Sequence, residues 1–202
     1  MGKAHLLPPD PSRLIEGLRD TGYEFNTALA DIIDNSVDAK ATKVHVRIRM
    51  DIDGDVTISV ADNGTGMDRD ALFNAMTYGA KSEKDKSCLG KFGLGLKTAS
   101  TAFCRKLSVI TRPSKKAEAM KATWDLDHVE SRRAWEILID TPTTEEIDLL
   151  DEAAAGGAGT LVVWEKVDRL LKDYENPGGA PARNALRKIV DGFSAHAAMV
   201  YQ

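Results

Sequence analysis

The sequence predicts a two-layer α+β sandwich, a mixed and mostly antiparallel sheet covered on one face by helices. Apolar residues recur at helical spacing from Glu24 to Ala39. By contrast KVHVRIRM (Lys43 to Met50) and DVTISVA (Asp55 to Ala61) alternate with the period of two that marks strands. DIDG (Asp51 to Gly54) between them supplies a hairpin turn. Helices come early and strands follow through hairpins, without the regular strand–helix alternation of a parallel sheet, which is the order of a layered α+β domain.

The elements follow in turn. Pro9, Asp10 and Pro11 open a short helix from Ser12 to Asp20, with Asp10 or Ser12 as cap, and Thr21-Gly22 breaks it. After the hairpin a helix reads from Asp68 to about Tyr78, and a lysine-rich stretch without periodicity, Gly79 to Leu89, reads as a lid. Glycines punctuate Gly90 to Gly95, a helix runs to Phe103, and strands are expected at Lys106–Thr111, Ala117–Leu126 and Ala134–Asp140. Thr143, with Glu146 three residues on, has the capping-box pattern for a helix to Ala155, ended by Gly156, Gly157 and Gly159. Thr160 to Lys166 is an apolar strand, Asn176–Pro181 a loop, and a last helix runs from about residue 181 to 202. The expectation is one domain over 1–202, with a core of about 12–167, as the N-terminal part of a longer protein.

With 202 residues, 43% hydrophobic and 29% charged, the chain has enough apolar material for a core. Its net charge of -4 requires neither nucleic acid nor an anionic membrane as partner, although the middle of the chain, from Lys81 to Lys121, is cationic and suits a phosphate ligand. Cys88 and Cys104 make no disulfide framework, and the four histidines show no ligand-spaced pair. No apolar run approaches the roughly 18 residues of a membrane span, so the expected location is the cytoplasm.

Three motifs carry chemistry. At about 100° per residue, Asp31, Asn35 and Asp38 fall on one narrow face of the early helix with Asp34 at its edge, while Leu29, Ile32, Ile33 and Val37 cover the other side. Carboxylates with an amide oxygen among them are hard ligands suited to Mg²⁺; a solvated face of an amphipathic helix has the same pattern. Asp62-Asn63-Gly64-Thr65-Gly66-Met67 follows a strand directly: Gly64 and Gly66 permit close approach of a flat ligand, and Asp62 can accept from an exocyclic amine. The same letters also make ordinary turn chemistry. Gly90-Lys91-Phe92-Gly93-Leu94-Gly95-Leu96-Lys97 opens a helix and exposes backbone N–H groups to an anion, in neither the P-loop nor the dinucleotide spacing.

Taken in order, with Gly159-Thr160 on a late strand, these motifs closely resemble the nucleotide-binding fold of the gyrase, heat-shock chaperone, histidine kinase and MutL superfamily, the Bergerat fold. Ala30 to Ala39, Tyr78-Gly79 and Gly95 to Ser100 look most like its MORC and MutL branches. The resemblance covers about Asn26 to Lys166. It implies that Asn35 coordinates Mg²⁺ bridging the phosphates, that Asp62 binds the adenine amino group with Gly66 and Thr160 assisting through water, and that Met67 packs on the ring. It also implies that Asp38 and Gly64 line the site, that Gly90, Lys91, Phe92, Gly93, Leu94 and Gly95 wrap the phosphates with Lys97 nearby, and that the lid closes over ATP or ADP. An ATP-dependent homodimer of the full-length protein is part of the same implication.

Two departures qualify it. Where most hydrolysing relatives place a glutamate as base, this chain has Asp31, shorter by one methylene. The lysine that gyrase-like and MutL-like relatives borrow from a following domain is not in a chain ending at Gln202. The expected function is an ATPase, slow as an isolated domain, that uses lid closure as a switch. The alternatives are a nucleotide-gated scaffold without turnover and, fitting less well, a histidine-kinase catalytic domain.

Overall fold

The computed structural model describes residues 5, 7, 9–80 and 95–201. Its sheet has six strands, β1 (Val44–Met50), β2 (Val56–Asp62), β3 (Cys104–Arg112), β4 (Met120–Asp125), β5 (Leu138–Asp140) and β6 (Gly159–Val167), in the order β1-β2-β6-β3-β4-β5. Every neighbouring pair is antiparallel. The last strand thus inserts at the centre, beside β2, and brings residues distant in sequence into one row. The hairpin is built as the sequence implies: the Asp51 carboxylate accepts from the N–H groups of Asp53 and Asp55, and Gly54 takes φ +94°.

Seven helices occur among the described residues: α1 (Pro11–Arg19), α2 (Phe25–Asp38), α3 (Arg69–Met76), α4 (Gly95–Thr101), α5 (Leu126–Arg132), α6 (Thr144–Ala154) and α7 (Ala180–Val200). Asp10 caps α1, and the Thr143–Glu146 capping box closes in both directions on α6. Side chains of all helices but α6 join one apolar cluster with Val56, Ile58 and Val60 of β2, Val162 and Trp164 of β6, and Leu107 and Val109 of β3. Leu150, Ala153 and Ala154 of α6 instead pack on Ala61, Ile110, Leu161 and Val163, which point to the opposite face. The two-layer α+β class is as the sequence predicts, with this one helix added behind the sheet. Among the described residues no helix is long and apolar enough to cross a membrane.

Two local readings are corrected. Ala134–Asp140 is strand only over Leu138–Asp140, and the stretch before it holds the unforeseen α5. Asp125 ends β4 and accepts from the Asp127 N–H, so the chain turns at Leu126 into a helix whose Leu126 and Val129 share a buried face. Val37, expected on the apolar side of α2, is 50% exposed, and Ser36 takes the inward position in register with Leu29, Ile32 and Ile33.

Candidate functional site

Asp62, the last residue of β2, lies opposite Thr160 of β6, which lies opposite Thr111 of β3. The three follow directly on the apolar rows below them, Val60–Val162–Val109 and Ile58–Trp164–Leu107, on the face that carries most helices. A polar row therefore closes an otherwise apolar face, with exposures of 5%, 9% and 0%. Buried polar atoms require partners, and these have them. The Ser36 hydroxyl of α2 donates to one Asp62 oxygen at 2.9 Å and the Gly64 N–H to the other at 2.8 Å. The Thr111 hydroxyl takes the Met67 N–H at 2.8 Å and donates to the Gly159 carbonyl at 3.1 Å, which leaves Thr160 to donate to Thr111 across 3.2 Å. Burial raises the Asp62 pKa above the ordinary carboxylate value, and the donors from Gly64, Ser36 and Thr160 oppose that rise.

At Gly64 and Gly66 the loop after Asp62 packs with no room for a side chain. A Cβ on Gly64 would stand 2.8 Å from both the Cβ and the carbonyl oxygen of Ala39, just past α2. Gly66 has φ +62°, and a Cβ there would stand 2.1 Å from the Arg112 carbonyl oxygen. Asn63 points the other way, accepting from the N–H groups of Thr42 and Lys43, so the Asp-Asn-Gly turn is anchored on both sides. Met67 is half-buried against the apolar cluster.

On α2, Asn35 and Asp38 are exposed and Asp31 is half-buried. The Asn35 side-chain nitrogen donates to the Asp31 carbonyl at 2.8 Å, which leaves its Oδ1 as the atom available to a hard cation. Tyr23, just before α2, directs its hydroxyl to the Asp31 carboxylate; burial first and that carboxylate second raise the phenol's pKa. No group of three or more His, Cys, Asp or Glu able to hold a metal occurs among the described residues. A cation on Asn35 would therefore need ligands from a bound molecule, the usual arrangement for Mg²⁺ on phosphates.

Lys97 takes a position that spacing did not suggest. In α4 it is 2% exposed, its ammonium donates to the Ala75 carbonyl at the end of α3, and it lies 5.7 Å from the centre of the Tyr78 ring. Burial lowers its pKa to about 8. Gly95 begins α4, while Gly90, Lys91, Phe92, Gly93, Leu94 and residues 81–89 of the expected lid lie outside the described residues. Ser36 and Thr111 are site residues that sequence reasoning missed. The signal for Ser36 was present, a hydroxyl at helical spacing on a face otherwise apolar; the pairing of Thr111 with Thr160 depends on β6 inserting beside β3.

The family model described as Histidine kinase-, DNA gyrase B-, and HSP90-like ATPase matches residues 23–160. The chain is similar to ATPase MORC2B of Mus musculus, 34% identical over 89 residues, which are 42% of this chain and 9% of that protein. It is similar to Protein MICRORCHIDIA 6 of Arabidopsis thaliana, 30% identical over 138 residues, 66% of this chain and 20% of that protein. Chaperone protein HtpG of Idiomarina loihiensis is 27% identical over 182 residues, 84% of this chain and 25% of that protein. The chain thus spans a quarter or less of the length of these relatives.

Proposed function

The chain belongs to the histidine kinase-, DNA gyrase B- and HSP90-like ATPase family, and from that premise we propose that it binds ATP and ADP between α2 and the loop after β2, and hydrolyses ATP. The observation that carries this is the state of Asp62. The Gly64 and Thr160 N–H groups and the Ser36 hydroxyl hold the two carboxylate oxygens, and the remaining acceptor position is open to an exocyclic amine. The glycines beside it bring backbone against whatever stacks there. In this reading Thr160 and Gly66 hold a water beside the ring, and Met67 packs on it.

Asn35 Oδ1 is the protein ligand for Mg²⁺, which when bound neutralises phosphate charge. Asp38 and Lys97 border the phosphate end, and Gly90 to Gly95 wrap the phosphates. The stretch 79–89 covers them, a proposal that rests on its sequence alone. For hydrolysis a water attacks the γ-phosphorus, Asp31 takes its proton, and the bond to the bridging oxygen breaks to leave ADP and phosphate. ATP-dependent pairing of two full-length chains belongs to the same proposal.

One observation favours a second reading, a scaffold that binds ATP without turning it over. Asp31 is short, and its carboxylate already faces the Tyr23 hydroxyl, a donor that competes with a water. Titration calorimetry tests binding. Asp62→Asn sets an amide NH₂ against the adenine amine, a mismatch worth roughly 1–3 kcal/mol, so ADP affinity should fall accordingly. Equal affinity in both proteins would remove Asp62 from the site. Phosphate release measured against label retained on protein separates hydrolysis, scaffold and kinase.

A further inference from the structure

The acidic face of α2 meets a phenol that the nucleotide chemistry leaves unused. Tyr201 follows α7, and its hydroxyl lies 2.7 Å from Asp34 Oδ1 and 3.1 Å from the Ala30 carbonyl oxygen. A phenol has one hydrogen, and the carboxylate, charged and nearer, is the stronger acceptor, so the bond runs to Asp34 with the carbonyl alongside. The ring is half-buried against the same apolar cluster that α2 packs into. Burial, then Asp34, raises the phenol's pKa, so it remains a donor at every working pH.

The two acceptors are four residues apart, one turn of α2. Asp31 lies inside that turn, and Asn35 follows it, with its own amide bonded to the Asp31 carbonyl. Fixing Ala30 to Asp34 thus fixes the direction in which both functional side chains leave the helix. An exposed hydroxyl–carboxylate contact is by itself worth little. Here the donor is half-buried and spans 167 residues of chain to reach that turn.

We propose that Tyr201 is a positioning residue for the nucleotide site, clamping the Ala30–Asp34 turn so that the end of α7 sets the placement of Asp31 and Asn35. This rests on the ATPase reading above. Its mechanical content is that a shift at the end of α7 reaches the phosphate side of the site through one hydrogen bond.

Tyr201→Phe keeps the ring and deletes the donor. In the full chain, amide hydrogen exchange should accelerate by about ten-fold over residues 31–38 and not in β2 or β6, the scale of losing one bond to a charged group. The kcat for ATP should fall by about the same factor while KM stays within about two-fold, the pattern of a lost alignment. With Asp34→Ala already present, Tyr201→Phe should have a smaller effect, since only the bond to the Ala30 carbonyl is left to lose. Parental exchange in α2 overturns the proposal. So does faster exchange spread evenly over the fold with kcat unchanged, since that marks a stabilising role only. A parent protein without measurable turnover would sink the hydrolysis reading; the exchange comparison then decides by itself, faster α2 exchange supporting the clamp and unchanged exchange overturning it.

Discussion

Asp62 and Asp31 are both aspartates in the proposed site, yet their surroundings assign them different work. Asp62 is buried, and its pKa lies above the ordinary 3.8. A raised folded pKa means that this group's contribution to stability is whole below 3.8 and is lost as pH rises through the raised value. Asparagine keeps the acceptor for the Gly64 N–H and has no such loss. The melting temperature of Asp62→Asn minus that of the parent should therefore grow from acid to neutral pH, while nucleotide affinity falls. A difference that is flat with pH would mean that Asp62 is not desolvated. Asp31 is half-buried and is the proposed acceptor of the attacking water's proton. Asp31→Asn should leave ATP affinity nearly intact and slow hydrolysis by about 10²–10⁴, the usual contribution of a positioned base. Asp31→Glu asks whether reach is limiting, and a faster glutamate variant would say that it is. Phosphate release from Asp31→Asn equal to the parent's would leave the scaffold as the surviving interpretation. At this scale the sequence singled out Asp62 and Asn35 as candidates for the site. It did not reveal Ser36 as the donor that orients Asp62, because that bond crosses 26 residues.

The loop after β2 and the junction of α3 with α4 each depend on close backbone packing. Gly66→Ala would force a side chain onto a φ of +62° and against the Arg112 carbonyl. We expect a loss of more than about 1 kcal/mol in chemical denaturation and of about ten-fold in ADP affinity. Parental affinity in a folded Gly66→Ala protein would show that the loop does not approach the ligand. At the other junction, the last carbonyls of α3 are taken by side chains: the Lys97 ammonium on Ala75, and the Trp124 indole N–H on Met76 at 2.8 Å. A cation at a helix C-terminus is favourable, but Lys97 is almost fully buried and its pKa is lowered to about 8. Because the folded value lies below the ordinary 10.5, the stability attached to this group is whole above 10.5 and lost as pH falls through about 8. Relative to Lys97→Met, the parent should gain melting temperature between pH 8 and 10.5. No relative gain would place the Lys97 ammonium in solvent. Spacing gave Lys97 only as a lysine near the phosphate loop, since a helix opened by glycines carries no information on which neighbouring helix end its ammonium reaches.

Across the whole molecule the sheet separates two tasks. The face carrying most of the helices ends in the polar row of Asp62, Thr160 and Thr111, and the opposite face carries α6 over Ala61, Ile110, Leu161 and Val163. Leu150 is fully buried in that rear cluster, so Leu150→Ala should destabilise by about 2–5 kcal/mol and lower the melting temperature by about 2–4 °C for each kcal/mol. ADP affinity measured by calorimetry on the folded variant should stay within about two-fold, since distant sites without shared partners act independently. A parallel collapse of affinity would mean that the rear layer shapes the front one. The sequence by itself determined the α+β class, the β1–β2 hairpin, the capping box of α6 and the order of motifs, because period, turn chemistry and capping act within a few residues of each other. Only the tertiary structure decided that β6 inserts between β2 and β3 to line up Asp62, Thr160 and Thr111. It also decided that α6 crosses to the rear face, that the unforeseen α5 fills the stretch between two expected strands, and that Tyr201 reaches α2. Those outcomes depend on which apolar faces bury one another and on bonds between groups far apart in the chain, and local periodicity carries no record of either.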